Sequence, residues 1–444
     1  MSVHSPSSPP SYRGQGRDDA APMLIVSGDS HVGPRLVEDL RQYCPSRYLD
    51  QFDAFVAENN DPEKFDAQLS LDELHSNEAF AVMTHRMMLN RRTAGHYDPD
   101  TRLKEMDWDG VAAEVIFHGS QNTQVFPFGT FREYADTERG DRENMAVGYD
   151  IYNRWLADFC AADPARLIGL IYPQMWDVEL AVKTVRWGAE HGLRGVNLPA
   201  PRPGIAGEYD DPMWEPLWAA CADLGLTLVT HAGVPMHPAS GPQYAALRTI
   251  EVGGWPVRRG MHRLIFAGVF ERYPDLNYVL TETRRGWWSY TMRDLDDACA
   301  NPSEALRRQM PKAPSEYMKK NVFIGASFMP PVEVREALDE GFTDRIIWGR
   351  DYPHGEGTYK YPEREGEESL TRRYLRWAFA GCPLPAARDM LGNVGVDAYH
   401  LDSAALRRIA DRIGPAPEEV TTTLPEVPET WKGSLADVFS GTIA

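Results

Sequence analysis

The stretch Arg345-Ile-Ile-Trp-Gly-Arg-Asp-Tyr-Pro-His354 decides how the rest of the chain is read. Ile346 to Trp348 is a short apolar run stopped by Gly349, the pattern of a strand buried on both faces. A carboxylate, Asp351, follows where that strand should end, and burying one is costly unless it is paired or binds a metal. The chain repeats this arrangement. Met23-Leu-Ile-Val26 leads to Asp29 and His31, and Ala113-Glu-Val-Ile-Phe-His118 ends on His118. Leu167 to Tyr172 leads to Gln174, and Gly195 to Leu198 carries Asn197. Leu226 to His231 ends on His231, Asn277 to Glu282 ends on Glu282, and Asn321 to Ala326 is the seventh run.

Helical periodicity separates most of these runs, over Asn144–Ala162, Val178–His191, Met213–Leu224, Val257–Arg272, Glu304–Lys320 and Val332–Glu340. Buried strands alternating with helices specify parallel βαβ units. Eight of them close a (β/α)8 TIM barrel, an α/β fold whose active site lies at the C-terminal ends of the strands. A doubly wound open sheet would not bring the ends of the first, fifth and last strands together. The expected organisation is a leader over residues 1–22, without the apolar h-region of a signal peptide, and a barrel over 23–400. Residues 46–100 form an insertion after the first strand, read as a lid or accessory piece. A C-terminal helix and extended tail occupy 401–444.

The 444 residues are 25% charged, with a net charge of −19, which makes nucleic acid and anionic membranes poor partners. The five cysteines are scattered, none in a C-x-x-C, which argues against a disulfide framework and fits a reducing, cytoplasmic setting. No apolar run is long enough to span a bilayer.

Asp-x-His on one strand end places both side chains on one face, because strand side chains alternate. Joined by a His and an Asp from other strands, they make a mixed nitrogen and oxygen site of the kind Zn, Mn and Fe accept. An ion there lowers the pKa of bound water and yields a nucleophile near neutral pH.

The ordered motifs resemble the amidohydrolase-related family of the aminocarboxymuconate-semialdehyde decarboxylase type, within the metal-dependent amidohydrolase superfamily. They are Asp29-Ser-His31, Arg102-Leu-Lys-Glu-Met-Asp-Trp-Asp-Gly110, Thr230-His-Ala-Gly233, Leu264–Leu276, Trp348–His354 and Met390–Tyr399. The resemblance implies metal ligands at Asp29, His31, His231 and Asp351. It also implies a catalytic His in a His-Gly-Gly after the sixth strand, where this chain has Thr281-Glu-Thr-Arg-Arg-Gly286. Glu282 therefore stands in for that His, either as a general acid/base with a pKa raised by burial or as a further ligand. With His118 or His354 it would supply donors for a second ion.

The candidates are thus Glu282, His354 and Asp351 for catalysis, and Asp29, His31, His231, Asp351, Glu282 and His118 for metal. Arg284, Arg285 and Asn197 are the candidates for substrate. The expected enzyme uses a metal-activated water or a metal-bound substrate to hydrolyse a small carboxylated or acyl compound. Non-oxidative decarboxylation is the alternative. A non-heme di-iron monooxygenase acting on a natural-product intermediate, with a redox partner protein, is the third reading. The cofactor is Zn, Mn or Fe, as one or two ions, and the expected assembly is a homodimer.

Overall fold

The computed structural model describes residues 19–63, 78–129, 142–200, 208–232, 254–283 and 285–423. Its centre is a ring of parallel strands. They are β1 (Val26–Ser27), β2 (His31–Val32), β3 (Ala113–His118), β4 (Leu167–Ile171), β5 (Gly195–Asn197), β6 (Thr227–His231), β7 (Tyr278–Thr281), β8 (Val322–Ser327) and β9 (Ile346–Gly349). From β3 onward each strand pairs in parallel with the next, and β1 and β2 both pair with β3. The first stave is thus one run broken in two at Gly28-Asp29-Ser30, which makes eight staves.

The ring shuts between its first and last staves. Gly28 N donates to Trp348 O at 2.8 Å, Asp351 N to Asp29 O at 3.0 Å and His31 N to Tyr352 O at 2.5 Å. Gly349 is needed at this seam, since a Cβ there would lie 2.8 Å from the Cβ of Asp29. The barrel read from the sequence is the fold observed.

Every strand residue except His231 is buried, so alternation shows as a choice between two apolar layers rather than core and solvent. Val115, Phe117, Ile168, Leu170, Val229, Val279, Phe323 and Ile347 form one cluster inside the ring. The alternate residues Ile116, Leu167, Ile171, Leu228, Leu280, Ile324 and Ile346 pack outward with the helices. Val394, Ala398 and Tyr399 join the inner cluster, and Ala398 O accepts from Thr227 Oγ1 at 2.6 Å. The segment after the last stave therefore plugs the N-terminal end of the barrel and leaves chemistry to the other end.

Helices depart from the sequence reading where a breaker was under-weighted. The run expected over Val257–Arg272 is two helices, Trp255–Phe266 and Val269–Arg272, because Gly268 takes φ 70° between them. The run over Glu304–Lys320 is likewise Glu304–Gln309 and Pro314–Asn321, the second starting at a proline. Trp288–Ala298 is a helix that the periodicity did not reveal. The stretch after Gly33 holds only the short helical turns Leu36–Leu40 and Arg41–Tyr43. All five cysteines are free thiols, four of them buried. No described helix is long and apolar enough to cross a membrane.

Candidate metal centre

The break in the first stave aims Asp29 inward, and His31 opens β2. His231 ends β6, and Asp351 and His354 lie just past β9. Their donor atoms converge. His31 Nε2 is 3.3 Å from Asp29 Oδ1 and 3.2 Å from Asp351 Oδ1, and His231 Nε2 is 3.4 Å from Asp29 Oδ1. Neighbouring donors on a shell of about 2.1 Å radius sit about 3–3.5 Å apart in octahedral or tetrahedral geometry. Among the described residues none of these four buried atoms has a well-formed hydrogen bond.

Each histidine commits its other nitrogen to a backbone carbonyl. His31 Nδ1 faces His118 O at 2.8 Å and His354 Nε2 faces Gly119 O at 2.7 Å. His231 Nδ1 contacts Ala232 O. A carbonyl only accepts, so those nitrogens carry a proton, and the opposite ones face the carboxylates, ready to present a lone pair once a cation displaces their second proton. This is how a metal-ligating histidine is held in its tautomer. The donor set fits a divalent cation.

The electrostatics agree. Burial works to raise the Asp29 pKa, but His231 and His31 hold it well below the usual carboxylate range. Burial also opposes charge on His231, yet Asp29 and Glu282 outweigh it and push the imidazole up to about 10. The same contest at His354, won by Asp351 and Glu356, gives about 10. This pocket attracts positive charge, either protons or a cation, so metal binding must displace protons and strengthen as pH rises.

Support comes from several directions. Ser327 Oγ donates to Asp29 Oδ2. The His354 ring stacks on His31 at 3.9 Å. Beneath the seam lies a buried ionic group. Arg350 donates to Glu114 at 2.6 Å and to Asp109 at 2.7 Å, Arg102 donates to Glu114 at 2.6 Å, and all four side chains are fully buried. Tyr352 lies between the two guanidiniums, 3.8 and 4.4 Å from them.

From the insertion, Asn90 ends the helix Glu78–Asn90 and holds the loop after β9. Its Nδ2 donates to Pro353 O at 2.8 Å and Tyr359 O at 3.2 Å, and its Oδ1 accepts from Tyr361 N at 2.8 Å. Asn90→Ala is expected to weaken metal binding about 10–100-fold, as loss of outer-sphere support does, with folding retained. Calorimetric titration with Mn2+ checks this, and unchanged affinity would refute it.

The remaining candidates divide. Glu282 belongs to the rim, with an oxygen 3.6 Å from His231 Nδ1 and its backbone in the left-handed region at φ 57°. Asn197 ends β5 and is buried. His118 is buried with its ring edge-on to Phe126 and Tyr152. It lies outside the described groups of close metal-ligating atoms, and only its carbonyl reaches the site. Burial pulls its pKa down to about 3. Arg285 is half exposed and faces Glu336 at 3.8 Å. Arg284, along with Gly233 and residues 64–77 of the insertion, falls outside the described residues. Sequence reasoning missed Glu356, whose carboxylate groups with those of Glu282 and Asp351. It lies two residues beyond His354 on the same loop, and that spacing was the available signal.

The amidohydrolase family model matches residues 93–389. Among solved structures, an amidohydrolase from Mycobacterium avium subsp. paratuberculosis K-10 shares 21% identity over 70% of this chain and 75% of that one, with a TM-score of 0.53. The 5-carboxyvanillate decarboxylase of Sphingomonas paucimobilis is 18% identical over 86% of this chain and 100% of its own, TM-score 0.55. A dihydroxybenzoic acid decarboxylase from Polaromonas sp. JS666, with bound manganese and an inhibitor, is 16% identical over 85% and 97%, TM-score 0.54. At such identities these structures share the fold, whereas the family model spans well over half of the polypeptide. With the barrel and its converging donors, that match makes this chain a member of the amidohydrolase family, a divalent-metal enzyme of that superfamily.

Proposed function

We propose that this enzyme carries out non-oxidative decarboxylation of a small carboxylated substrate, with Asp29, His31, His231 and Asp351 as metal ligands and Glu282 as the proton donor. A divalent ion held by those four would supply Lewis-acid polarisation of a substrate oxygen. The observation that carries the reading is Glu282. Burial raises its pKa, His231 opposes that, and Asp351 and Asp29 raise it further, to about 7. It is therefore a carboxylic acid able to hold a proton near neutrality on the rim where substrate would meet the ion.

In the proposed step the bond between the substrate carbon and its carboxyl group breaks, and the electron pair stays on that carbon. The Glu282 proton moves to the carbon as carbon dioxide leaves, and solvent reprotonates the carboxylate. Decarboxylases among the structures of the same fold support this over the hydrolysis expected first, and aromatic acids are the first class to test.

Manganese-loaded protein incubated with a panel of small aromatic carboxylic acids in deuterated water should release carbon dioxide and place one deuteron on the product. Oxygen-18 incorporation from water without carbon dioxide would favour hydrolysis, and oxygen consumption by iron-loaded protein would favour oxygenation. The reactive form is the acid, so the rate falls as pH rises through the Glu282 pKa, about 7 before any cation is bound. A neighbouring cation favours the carboxylate and moves that limb lower. Glu282→Gln is expected to reduce kcat about 10²–10⁴-fold and to flatten the limb. A variant that keeps the limb would assign it to another group.

A further inference from the structure

The insertion brings a charge to the rim that the metal centre does not use. Arg86, on the helix Glu78–Asn90, is buried, and a buried guanidinium is costly unless other groups answer its charge. Its Nη1 donates to Gly357 O at 2.8 Å, on the loop that also carries Asp351, His354 and Glu356. The helix comes this close because residue 355 is glycine. A Cβ there would lie 2.3 Å from Met83 O and 2.9 Å from Met87 Cβ. Just past the helix, Arg91 Nε donates to Gln121 O at 2.8 Å. Gln121 in turn donates from Nε2 to Glu356 at 3.0 Å and accepts from Gly355 N at 3.1 Å. Two arginines of the insertion thus grip the two loops that meet at Glu356.

Glu356 is the charge they surround. Its side chain is 15% exposed, and it offers an oxygen within 4.8 Å of oxygens from Glu282 and Asp351. His354 Nδ1 is 3.0 Å from Asp351 but 3.7 Å from Glu356, so that imidazole serves Asp351 first. The Gln121 amide is neutral. The buried guanidiniums of Arg102 and Arg350 are taken by Glu114 and Asp109. A carboxylate left unanswered here would repel a carboxylated substrate on its way to the ion and to Glu282. Burial lowers the Arg86 pKa, Glu356 and then Tyr374 oppose that, and at about 10 the group is still a cation at neutral pH.

We infer that Arg86 is a positioning residue that makes the mouth of the site accept anions. It holds the Glu356 loop through Gly357 and offsets the Glu356 charge beside the proton donor. The inference rests on the metal ligands and the proton donor proposed above, and it gives the insertion a part in substrate choice. Arg86 acts through Glu356 rather than on the substrate itself.

The test uses the full-length protein loaded with Mn2+ and measures calorimetrically the binding of two probes of one shape, anionic benzoate and neutral benzamide. Arg86→Met should weaken benzoate at least about ten-fold, as an unanswered like charge does, and leave benzamide within about two-fold. Adding Glu356→Gln to that variant should bring benzoate back to within about three-fold of the unaltered protein, because the two residues act as a coupled pair. A loss shared equally by both probes, or no recovery in the double variant, would show a merely structural role and overturn the inference. If Arg86→Met does not fold, Glu356→Gln alone decides. It should bind benzoate more tightly with benzamide unchanged, and weaker benzoate binding overturns the inference. Binding is read without turnover, so a failure of the decarboxylation reading shows separately, in the carbon dioxide assay.

Discussion

Asp351→Asn is expected to abolish turnover and metal retention together while the protein stays folded. Asp351 is the carboxylate on which the rim converges, 3.2 Å from His31 Nε2 and 3.0 Å from His354 Nδ1. The amide keeps the shape but loses the charge and half of the acceptor capacity. An ion's electrostatic contribution to such a reaction is several kcal/mol, and about 4 kcal/mol corresponds to a thousand-fold in rate. A fall in kcat/KM of at least about a thousand-fold is therefore expected.

Stability of the metal-free protein should fall as well. Asp351 faces the His354 imidazole at 3.0 Å and helps to push it up to about 10, so without that charge the metal-free variant should melt below the temperature of the unaltered protein. The rise in Tm on adding Mn2+, which reflects about 2.7 kcal/mol at a hundred times Kd, should vanish. Turnover within ten-fold of normal would end the metal-site reading.

The second large effect concerns stability. Arg350→Met leaves Asp109 without its guanidinium and Glu114 with only Arg102, all of them fully buried. Removing one partner of a buried ion pair costs about 3–5 kcal/mol, because the charge left behind is uncompensated. Arg308→Ala is the contrast. Its pair with Glu304 is 72% and 81% exposed, and such pairs contribute about 0–1 kcal/mol. Urea unfolding of the two variants should separate them clearly, and equal midpoints would show that the buried cluster carries no special weight.

The barrel was legible because each stave is a short apolar run of the length and flanking pattern that parallel strands require. The converging side chains were legible because each sits where such a run ends. Three features were not. The break at Gly28-Asp29-Ser30 looks in sequence like the end of a strand, since pairing on both sides of it appears only once β3 is in place. Glu114 was hidden inside an apolar strand, and its two arginine partners lie 12 and 236 residues away. The direction of Arg285 was not legible because a basic residue beside a site residue can point either way, and here it lies 3.8 Å from Glu336. Gly268 shows the ordinary limit on helix boundaries, since helical periodicity continues across a residue whose backbone does not.

The seam between the first and last staves has a consequence for biosynthesis. The donors at Asp29 and His31 meet the one at Asp351 only when the final stave docks, through Gly28 to Trp348 and Asp351 to Asp29. A polypeptide still emerging from the ribosome therefore owns an open cylinder and an incomplete chelate until that stave has been translated. Messages cut short before that point yield products that can neither shut nor load, so cofactor acquisition reports that translation ran past the last stave.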